Sequence, residues 1–238
     1  MLYITAILVA VCSYLVGSIN TSIILSKAIY GSDIRTSGSG NAGATNMLRT
    51  HGKKRAVCTL LFDVLKGVIM VLFASLIDRY ALSVFENASA SAFERTYILG
   101  SLKYIAGIFV VLGHDFPIYF GFKGGKGVAT SLGVMLTLNW QVGLIILALA
   151  LTIMATTRFV SLGSITAAAV YPFVLFTFII AGGEKLSDCI TYLFMAVLLA
   201  VVLIAKHRSN IIKLKNGTES KLFEKKTDIQ NSKEDTGV

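Results

Sequence analysis

Three polar, glycine-rich segments interrupt an otherwise apolar chain and hold the residues that could do chemistry. The first reads SGSGNAGATNMLR, from Ser37 to Arg49. Glycine tolerates positive φ, so a loop of this kind can turn its backbone N–H groups inward. Inward N–H groups next to a cation form a site for an anion. The first segment therefore predicts a phosphate site, with Arg49 as the cation.

The first segment also spells GxGxxG through Gly38, Gly40 and Gly43, which is the pattern of a dinucleotide-binding loop. That fold requires a strand before the pattern and an acidic residue about 20 positions after it. Here an apolar run precedes the pattern, and Asp63 lies inside the next apolar run. A dinucleotide site is therefore disfavoured, and a flexible loop without a ligand is the other alternative.

The second segment, residues 113–130, reads GHDFPIYFGFKGGKGVAT. It resembles a Walker A loop only superficially, because Phe120 stands in place of glycine and Gly127 in place of serine or threonine. A lysine between glycines nevertheless precedes a predicted apolar helix. A helix N-terminus attracts anions, and a lysine holds phosphate as a point charge. We predict that Lys126 binds phosphate and that Lys123 anchors the chain at the membrane surface.

The third segment, residues 206–219, reads KHRSNIIKLKNGTE and follows the last apolar run directly. It places His207, Arg208 and Asn210 where the chain leaves the membrane. Taken singly, basic residues at this position are also ordinary signals of membrane topology. Apolar residues alternate with lysines at 211–215, which predicts a short helix on the membrane surface. The polar tail beyond is predicted to be disordered.

Outside these segments the chain is too apolar for a soluble domain. Hydrophobic residues make up 55% of it and charged residues 15%, against about 25% charged in soluble domains. Roughly 20 apolar residues cross a bilayer core, and seven runs predict an all-α integral membrane protein with seven transmembrane helices. The short fourth and fifth runs could instead form one re-entrant pair or one bent helix. The predicted spans are Leu2–Ser26, Ala56–Ile77, Tyr97–Gly113, Val128–Leu138, Val142–Thr157, Leu162–Ala181 and Cys189–Ala205.

Positive charge is concentrated on one side of this topology. Of the 22 Lys and Arg residues, seventeen lie in the loops after the first, third and fifth predicted spans and in the tail after the seventh. The opposite side holds only Arg79, Arg95 and Lys185. The positive-inside rule then places the N-terminus outside and the C-terminus in the cytosol. We therefore expect a multi-pass protein of the inner (cytoplasmic) membrane with its active site on the cytosolic face. Residues 1–210 are expected to form the catalytic membrane domain, and residues 211–238 a short interfacial helix and a charged tail.

Several polar residues fall in or beside the predicted spans. Asp63 and Lys66 lie three positions apart on one helix face, so we predict that they neutralise each other. Arg158 and Ser161 mark the cytosolic end of the sixth predicted span, where Arg158 could add a cation to the site. No cluster of carboxylates is spaced for a metal ion, and no metal or other cofactor is expected.

The three segments, in this order and at this spacing, resemble those of the bacterial acyl-phosphate-dependent glycerol-3-phosphate 1-acyltransferases. The resemblance runs from about Gly17 to Glu219, with Ala42 where the family often has Pro or Val and with a longer tail. It implies a seven-helix membrane enzyme that moves a fatty acyl group from acyl phosphate to the 1-hydroxyl of glycerol 3-phosphate. The product would be lysophosphatidic acid, made in the first step of phospholipid synthesis. Expected partners are these substrates, membrane lipids and the enzyme that supplies acyl phosphate, but no nucleic acid.

The resemblance also implies which residues form the site. The catalytic residues would be Ser39, Arg49, Lys126, His207 and Asn210. Further candidates, suggested by their position in or beside the polar segments, are His114, Arg158, Ser161 and Arg208. The residues expected to bind substrate phosphate are Gly40, Asn41, Gly43, Ala44, Thr45, Asn46, Gly124, Gly125 and Gly127.

The implied reaction fits the residues without a covalent enzyme intermediate, because acyl phosphate is itself a reactive anhydride. The proton of the acceptor hydroxyl could go to His207 or to the departing phosphate, and both routes stay open. Two neighbouring phosphates are expected to raise the pKa of His207, which favours a role in orientation. A carrier for a phosphorylated metabolite and a transferase using another lipid phosphate are the competing interpretations. Carriers usually bind near the bilayer midplane, whereas these polar groups gather at one face.

Overall fold

The computed structural model describes residues 2–85, 101–183 and 186–222. Within these ranges the chain forms ten α-helices and no strand, so the predicted all-α class is confirmed. Two short 3-10 turns occur, one at Ile34–Thr36 just before the first polar segment and one at Ile118–Phe120 in the second. The helices are α1 (Leu2–Gly17), α2 (Thr21–Tyr30), α3 (Ala44–His51), α4 (Lys53–Phe85), α5 (Leu102–Asp115), α6 (Val128–Leu138), α7 (Trp140–Thr157), α8 (Val160–Ala181), α9 (Leu186–Lys206) and α10 (Arg208–Lys215).

Five helical stretches in the described residues are long and apolar enough to cross a membrane. Large apolar side chains point outward from them; Leu76 is 64% exposed and Phe173 is 73% exposed. Such surfaces suit lipid rather than water. The third predicted span began at Tyr97, and its first residues lie outside the described part of the chain. The five stretches are Tyr3–Tyr30, Lys53–Tyr80, Trp140–Thr157, Val160–Ala181 and Cys189–Lys206.

The first predicted span is wrong as one continuous helix. Helix α1 ends at Gly17 and α2 begins at Thr21. The side chain of Asn20 accepts a hydrogen bond from the Ile23 N–H group at 3.2 Å, which makes Asn20 the N-cap of α2. A cap of this kind satisfies a backbone donor that would otherwise be unpaired at a new helix start. The break redirects the chain towards the first polar segment.

A single residue separates α6 from α7. Asn139 is extended, with φ −152° and ψ 99°, and its side chain accepts a hydrogen bond from the Val142 N–H group at 3.0 Å. Helix α7 therefore starts with its own cap, and the fourth and fifth predicted spans are two separate helices. Of the alternatives left open by the sequence, the single bent helix is excluded.

Glycines bring four helices into backbone contact. Gly17 and Gly113 lie between α1 and α5, and Gly67 and Gly133 lie between α4 and α6. A Cβ atom at any of the four would come within 2.1 to 2.4 Å of a backbone carbonyl oxygen on the facing helix. Small residues allow this close packing in a membrane, where backbone approach replaces hydrophobic burial as the source of helix association. These contacts fix the helix ends from which the polar segments emerge.

Backbone-directed hydrogen bonds hold the polar segments together at one end of the bundle. The Arg35 guanidinium donates to the carbonyl oxygens of Phe120 at 2.7 Å and Lys123 at 2.8 Å, which joins the chain just before the first segment to the second segment. Asp33 orients that guanidinium through contacts of 2.9 and 2.7 Å. The hydrogen bonds from Arg35 hold the pKa of the Asp33 carboxyl well below its usual range. The Lys206 ammonium donates to the Asp115 carbonyl oxygen at 2.9 Å and so joins the third segment to the second.

Candidate active site

One cavity of about 340 Å³ opens among the three polar segments and continues between apolar helices. Its polar end is lined by residues from all three segments, so the structure brings together the parts of the chain that the sequence singled out. Ser39, Arg49, Lys126, His207 and Asn210 all line it. The apolar end is formed by side chains of α6, α7 and α8. The cavity therefore joins a charged end to an apolar slot.

Asn46 shapes the first segment. Its side-chain oxygen accepts a hydrogen bond from the Ser39 N–H group at 2.9 Å, and its amide nitrogen lies 3.0 to 3.1 Å from three backbone carbonyl oxygens. The side chain is buried and uses its hydrogen-bonding groups within the loop, although the residue lines the cavity. Asn46 was expected to bind substrate phosphate as part of a backbone cradle, and this stays a prediction; its side chain holds the loop that surrounds the cavity.

Helix α3 starts at the wall of the cavity. Its first residues, Ala44 and Thr45, line the cavity together with Asn41 and Gly43. The first N–H groups of a helix have no partner within it, and they carry the positive end of the helix dipole. The start of α3 therefore places backbone donors at the cavity wall, and phosphate binding by this segment stays a prediction.

Three of the glycines expected to bind substrate phosphate do not line the cavity. The Gly40 N–H group donates to the Ser37 carbonyl oxygen at 3.1 Å. The N–H groups of Gly124 and Gly125 donate to carbonyl oxygens at the end of α5, at 3.3 and 3.1 Å. These glycines shape the two loops instead of offering donors to a ligand. Gly127, by contrast, lines the cavity and caps α6 with φ 70°.

A chain of hydrogen bonds links Lys126 to the third segment. The Lys126 ammonium donates to the Asn210 side-chain oxygen, and the Asn210 amide donates to the Glu219 carboxylate at 2.7 Å. Ser161, at the start of α8, donates to the same carboxylate oxygen at 2.7 Å. Burial lowers the pKa of Lys126 to about 8; Glu219 opposes this shift, and neighbouring cations add to it. The carboxylate thus compensates part of the positive charge gathered here.

Sequence reasoning assigned no role to Glu219. The only signal was its position, because it is the first acidic residue after a strongly basic stretch and ends the third segment. Its partners Ser161 and Asn210 lie 58 and 9 residues away in the chain. Distances of this kind are set by tertiary structure, so the contact could not be read from local spacing.

His207 is buried at the start of α10. Its Nδ1 atom lies 2.8 Å from the Leu203 carbonyl oxygen, and burial lowers the pKa of the imidazole to about 4. The ring is therefore neutral at neutral pH, with Nδ1–H donating to Leu203 and a lone pair on Nε2. The sequence suggested that nearby phosphates would raise this pKa; in the protein alone, burial lowers it.

The remaining candidates divide into two groups. Ser161 and His114 line the cavity. Arg158 ends α7 in the left-handed region, with φ 63°, and its side chain is exposed outside the cavity. Its carbonyl oxygen accepts a hydrogen bond from the Leu222 N–H group at 2.8 Å. Arg208 is also exposed, so neither arginine adds a cation to the cavity wall.

The model of the glycerol-3-phosphate acyltransferase family matches residues 7–217. The chain belongs to this family. The resemblance predicted from the three segments is thereby confirmed at family level. A glycerol-3-phosphate acyltransferase of Clostridioides difficile is 44% identical over 220 residues, covering 92% of this chain and 97% of that protein. One of Thermoanaerobacter pseudethanolicus is 42% identical over 221 residues, with the same coverage.

Two solved structures of PlsY (YgiH), an integral membrane glycerol 3-phosphate acyltransferase, share the fold. The glycerol 3-phosphate form has a TM-score of 0.72 and 35% identity, covering 92% of this chain and 96% of that one. The lysophosphatidic acid form has a TM-score of 0.70 and 34% identity, covering 92% and 95%. This acyltransferase chain, with its apolar helices, is accordingly an integral membrane protein.

The lowered pKa of Lys126 is open to direct measurement. Trace labelling with acetic anhydride, quantified by mass spectrometry across pH, should show Lys126 reacting with a midpoint near 8, because only the unprotonated amine is nucleophilic. In Glu219→Gln the midpoint should fall below that value, since the carboxylate that stabilises the ammonium is gone. A midpoint above 10 in the unaltered protein, or an upward shift in Glu219→Gln, would contradict this electrostatic description.

Proposed function

We propose that this protein transfers a fatty acyl group from acyl phosphate to the 1-hydroxyl of glycerol 3-phosphate, giving lysophosphatidic acid and phosphate. The observation that carries the proposal is the cavity that joins a cationic end, rich in N–H groups, to an apolar slot. The family supports the acceptor and the product. The donor is the one that the resemblance of the three polar segments implies, and the charged end of the cavity is compatible with it.

The apolar part of the cavity suits a fatty acyl chain. It is lined along α6 from Val128 to Met135, along α7 from Met154 to Ile146, and along α8 from Val160 to Ala168. At 1.5 Å per residue, each helix lines the slot over roughly 10 to 12 Å. An acyl chain inserted here would leave its phosphate at the end that holds Lys126.

The charged part of the cavity suits phosphate groups. Both substrates carry one, so the site must compensate several negative charges in a region with little water. Arg49 presents a planar fork that matches phosphate oxygens, and Lys126 supplies a point charge. The first N–H groups of α3 add backbone donors. These groups supply positive charge without a metal ion, and we propose a metal-free reaction.

In the proposed reaction the 1-hydroxyl oxygen attacks the carbonyl carbon of acyl phosphate, and the bond from that carbon to the phosphate oxygen breaks. The neutral His207 can accept a hydrogen bond at Nε2 from the attacking hydroxyl and orient it. An imidazole whose pKa is about 4 holds a proton poorly, whereas the second pKa of a phosphate group is about 6. In this proposal the proton ends on the departing phosphate.

The other residues of the cavity take supporting roles in this proposal. Asn210 is bonded to both Lys126 and Glu219, so it positions the ammonium rather than binding the acyl carbonyl oxygen. Ser39 is exposed at the opening of the cavity, and its hydroxyl is placed to donate to a substrate oxygen. Stabilising the developing oxyanion then falls to Ser39 and the α3 N–H groups.

A turnover assay on the purified protein tests the proposed donor. With palmitoyl phosphate, glycerol 3-phosphate and EDTA, lysophosphatidic acid should form at a steady rate, because the site supplies its own cations. With palmitoyl-CoA in place of palmitoyl phosphate, formation should be at least about 100-fold slower, the scale of losing one or two preorganised charge contacts. Faster turnover with palmitoyl-CoA, or activity that EDTA abolishes and Mg²⁺ restores, would refute the proposal.

We further propose that the chain crosses the inner (cytoplasmic) membrane with seven transmembrane helices. The N-terminus is outside, and the three polar segments face the cytosol. Support comes from the distribution of Lys and Arg and from the gathering of those segments at one end of the bundle. The catalytic unit is proposed to extend through Glu219, because Asn210 bonds to it across the boundary drawn at residue 210.

Cysteine accessibility in intact cells tests this orientation. In a variant without native cysteines, Ser37→Cys and Asn216→Cys should resist an impermeant maleimide added outside and react after the membrane is permeabilised. Labelling of either position in intact cells would show that the proposed orientation is inverted.

A further inference from the structure

A buried polar cluster forms part of the cavity wall. It consists of Asp63 and Lys66 on α4 and His114 at the end of α5, which are 1%, 7% and 3% exposed. The Lys66 ammonium lies 2.9 Å from the Asp63 carboxylate and 2.9 Å from His114 Nδ1. It also donates to the carbonyl oxygens of Gly17 at 3.2 Å and Ile19 at 3.1 Å. The sequence predicted the pairing of Asp63 with Lys66 but not the contact with His114.

The contact with Lys66 fixes where the proton sits on a neutral His114 ring. An ammonium group has only hydrogen-bond donors, so a ring nitrogen that faces it at 2.9 Å must act as the acceptor. The Asp63 oxygen is farther from Nδ1, at 3.5 Å. His114 Nδ1 is therefore unprotonated, and the proton is on Nε2. A partner at one ring nitrogen commonly sets the tautomer of a histidine in this way.

The Nε2 atom of His114 lies where the first and second polar segments contact each other. A Cβ atom at Gly125 would lie 2.0 Å from Nε2 and 2.7 Å from the Ala42 carbonyl oxygen, so only a glycine fits between them. His114 also lines the cavity. Across residues 2–85, 101–183 and 186–222, no protein group accepts a hydrogen bond from Nε2. A donor is thus left at the wall of a cavity that also presents Arg49 and Lys126, alongside the carboxylates of Asp63 and Glu219.

We propose that His114 binds a phosphate oxygen of the substrate through Nε2–H, and that Lys66 and Asp63 are positioning residues that hold it in this tautomer. The identity of the ligand rests on the proposed function, since both acyl phosphate and glycerol 3-phosphate carry the required oxygen. The placement of the proton rests on the cluster alone. Because Lys66 also binds the carbonyl oxygens at the end of α1, the same ammonium couples the α1–α2 break to this wall of the cavity.

Two substitutions of His114 separate binding from a purely structural role. Glutamine places its amide nitrogen near the position of Nε2, whereas asparagine places it near Nδ1. We expect His114→Asn to raise the KM for one phosphate substrate roughly 10- to 100-fold, as for a lost hydrogen bond to a charged group. His114→Gln should raise that KM by no more than about threefold. Each KM is measured with the other substrate saturating, so the assay identifies which phosphate His114 contacts.

If His114 has only a structural role, His114→Gln should be damaged more than His114→Asn, because asparagine keeps an acceptor at the Nδ1 position that faces Lys66. If His114→Gln is the more damaged variant, or if neither KM changes while both variants remain folded by gel filtration and thermal melting, the proposal is overturned. An unaltered protein that makes no lysophosphatidic acid would instead refute the proposed function.

The tautomer can be measured without turnover. In ¹⁵N-histidine NMR of the unaltered protein, we expect His114 to carry its proton on Nε2 and His207 on Nδ1, and glycerol 3-phosphate or inorganic phosphate to shift the His114 Nε2 resonance. In Lys66→Met, Asp63 becomes the neighbour of Nδ1, and the proton should move there. A proton on His114 Nδ1 in the unaltered protein would overturn the proposal even if the asparagine variant failed to fold.

Discussion

The site depends on one interaction, the hydrogen bond from the Lys126 ammonium to the Asn210 side-chain oxygen, which joins residues 84 positions apart. A charged group is costly to bury unless it is paired and hydrogen-bonded. Asn210 supplies that partner and passes the contact on to Glu219, which Ser161 also binds. One chain of polar contacts thus ties the second polar segment, the third segment and the start of α8 to a single charge.

Close packing in the helix bundle sets where the helices end, and these ends position the loops of the site. Gly113 allows α5 to approach α1, and Gly133 allows α6 to approach α4. The ends of α5 and α6 then hold the loop that carries Lys126. The break capped by Asn20 sends the chain into the first segment, where Asn46 fixes the loop and α3 presents its first N–H groups. Apolar packing in the bundle therefore determines the geometry of a polar site at its end.

Much of this could be predicted from local patterns. Apolar runs indicate helices, so the all-α fold followed from the sequence, and the three motifs together indicated the family. The resemblance also supplied the catalytic candidates, which line one cavity and whose roles stay predictions. The helix break at Asn20 was missed because the short polar stretch GSINTS, residues 17–22, was taken as part of one apolar run. The amides of Gly40 and Gly125 were assigned to phosphate, yet they bond to carbonyl oxygens. Which donors stay free depends on tertiary contacts that spacing does not encode.

A double-mutant cycle on Lys126 and Asn210 tests the central claim most directly. The quantity compared is kcat/KM for palmitoyl phosphate and glycerol 3-phosphate in Lys126→Ala, Asn210→Ala and the double variant, with Lys123→Ala and Asn210→Ala as the control pair. If Asn210 acts by holding Lys126, the double variant should be scarcely worse than Lys126→Ala, with a coupling energy of at least about 1 kcal/mol. The control pair should be additive. Additive losses for Lys126 and Asn210 would contradict the account.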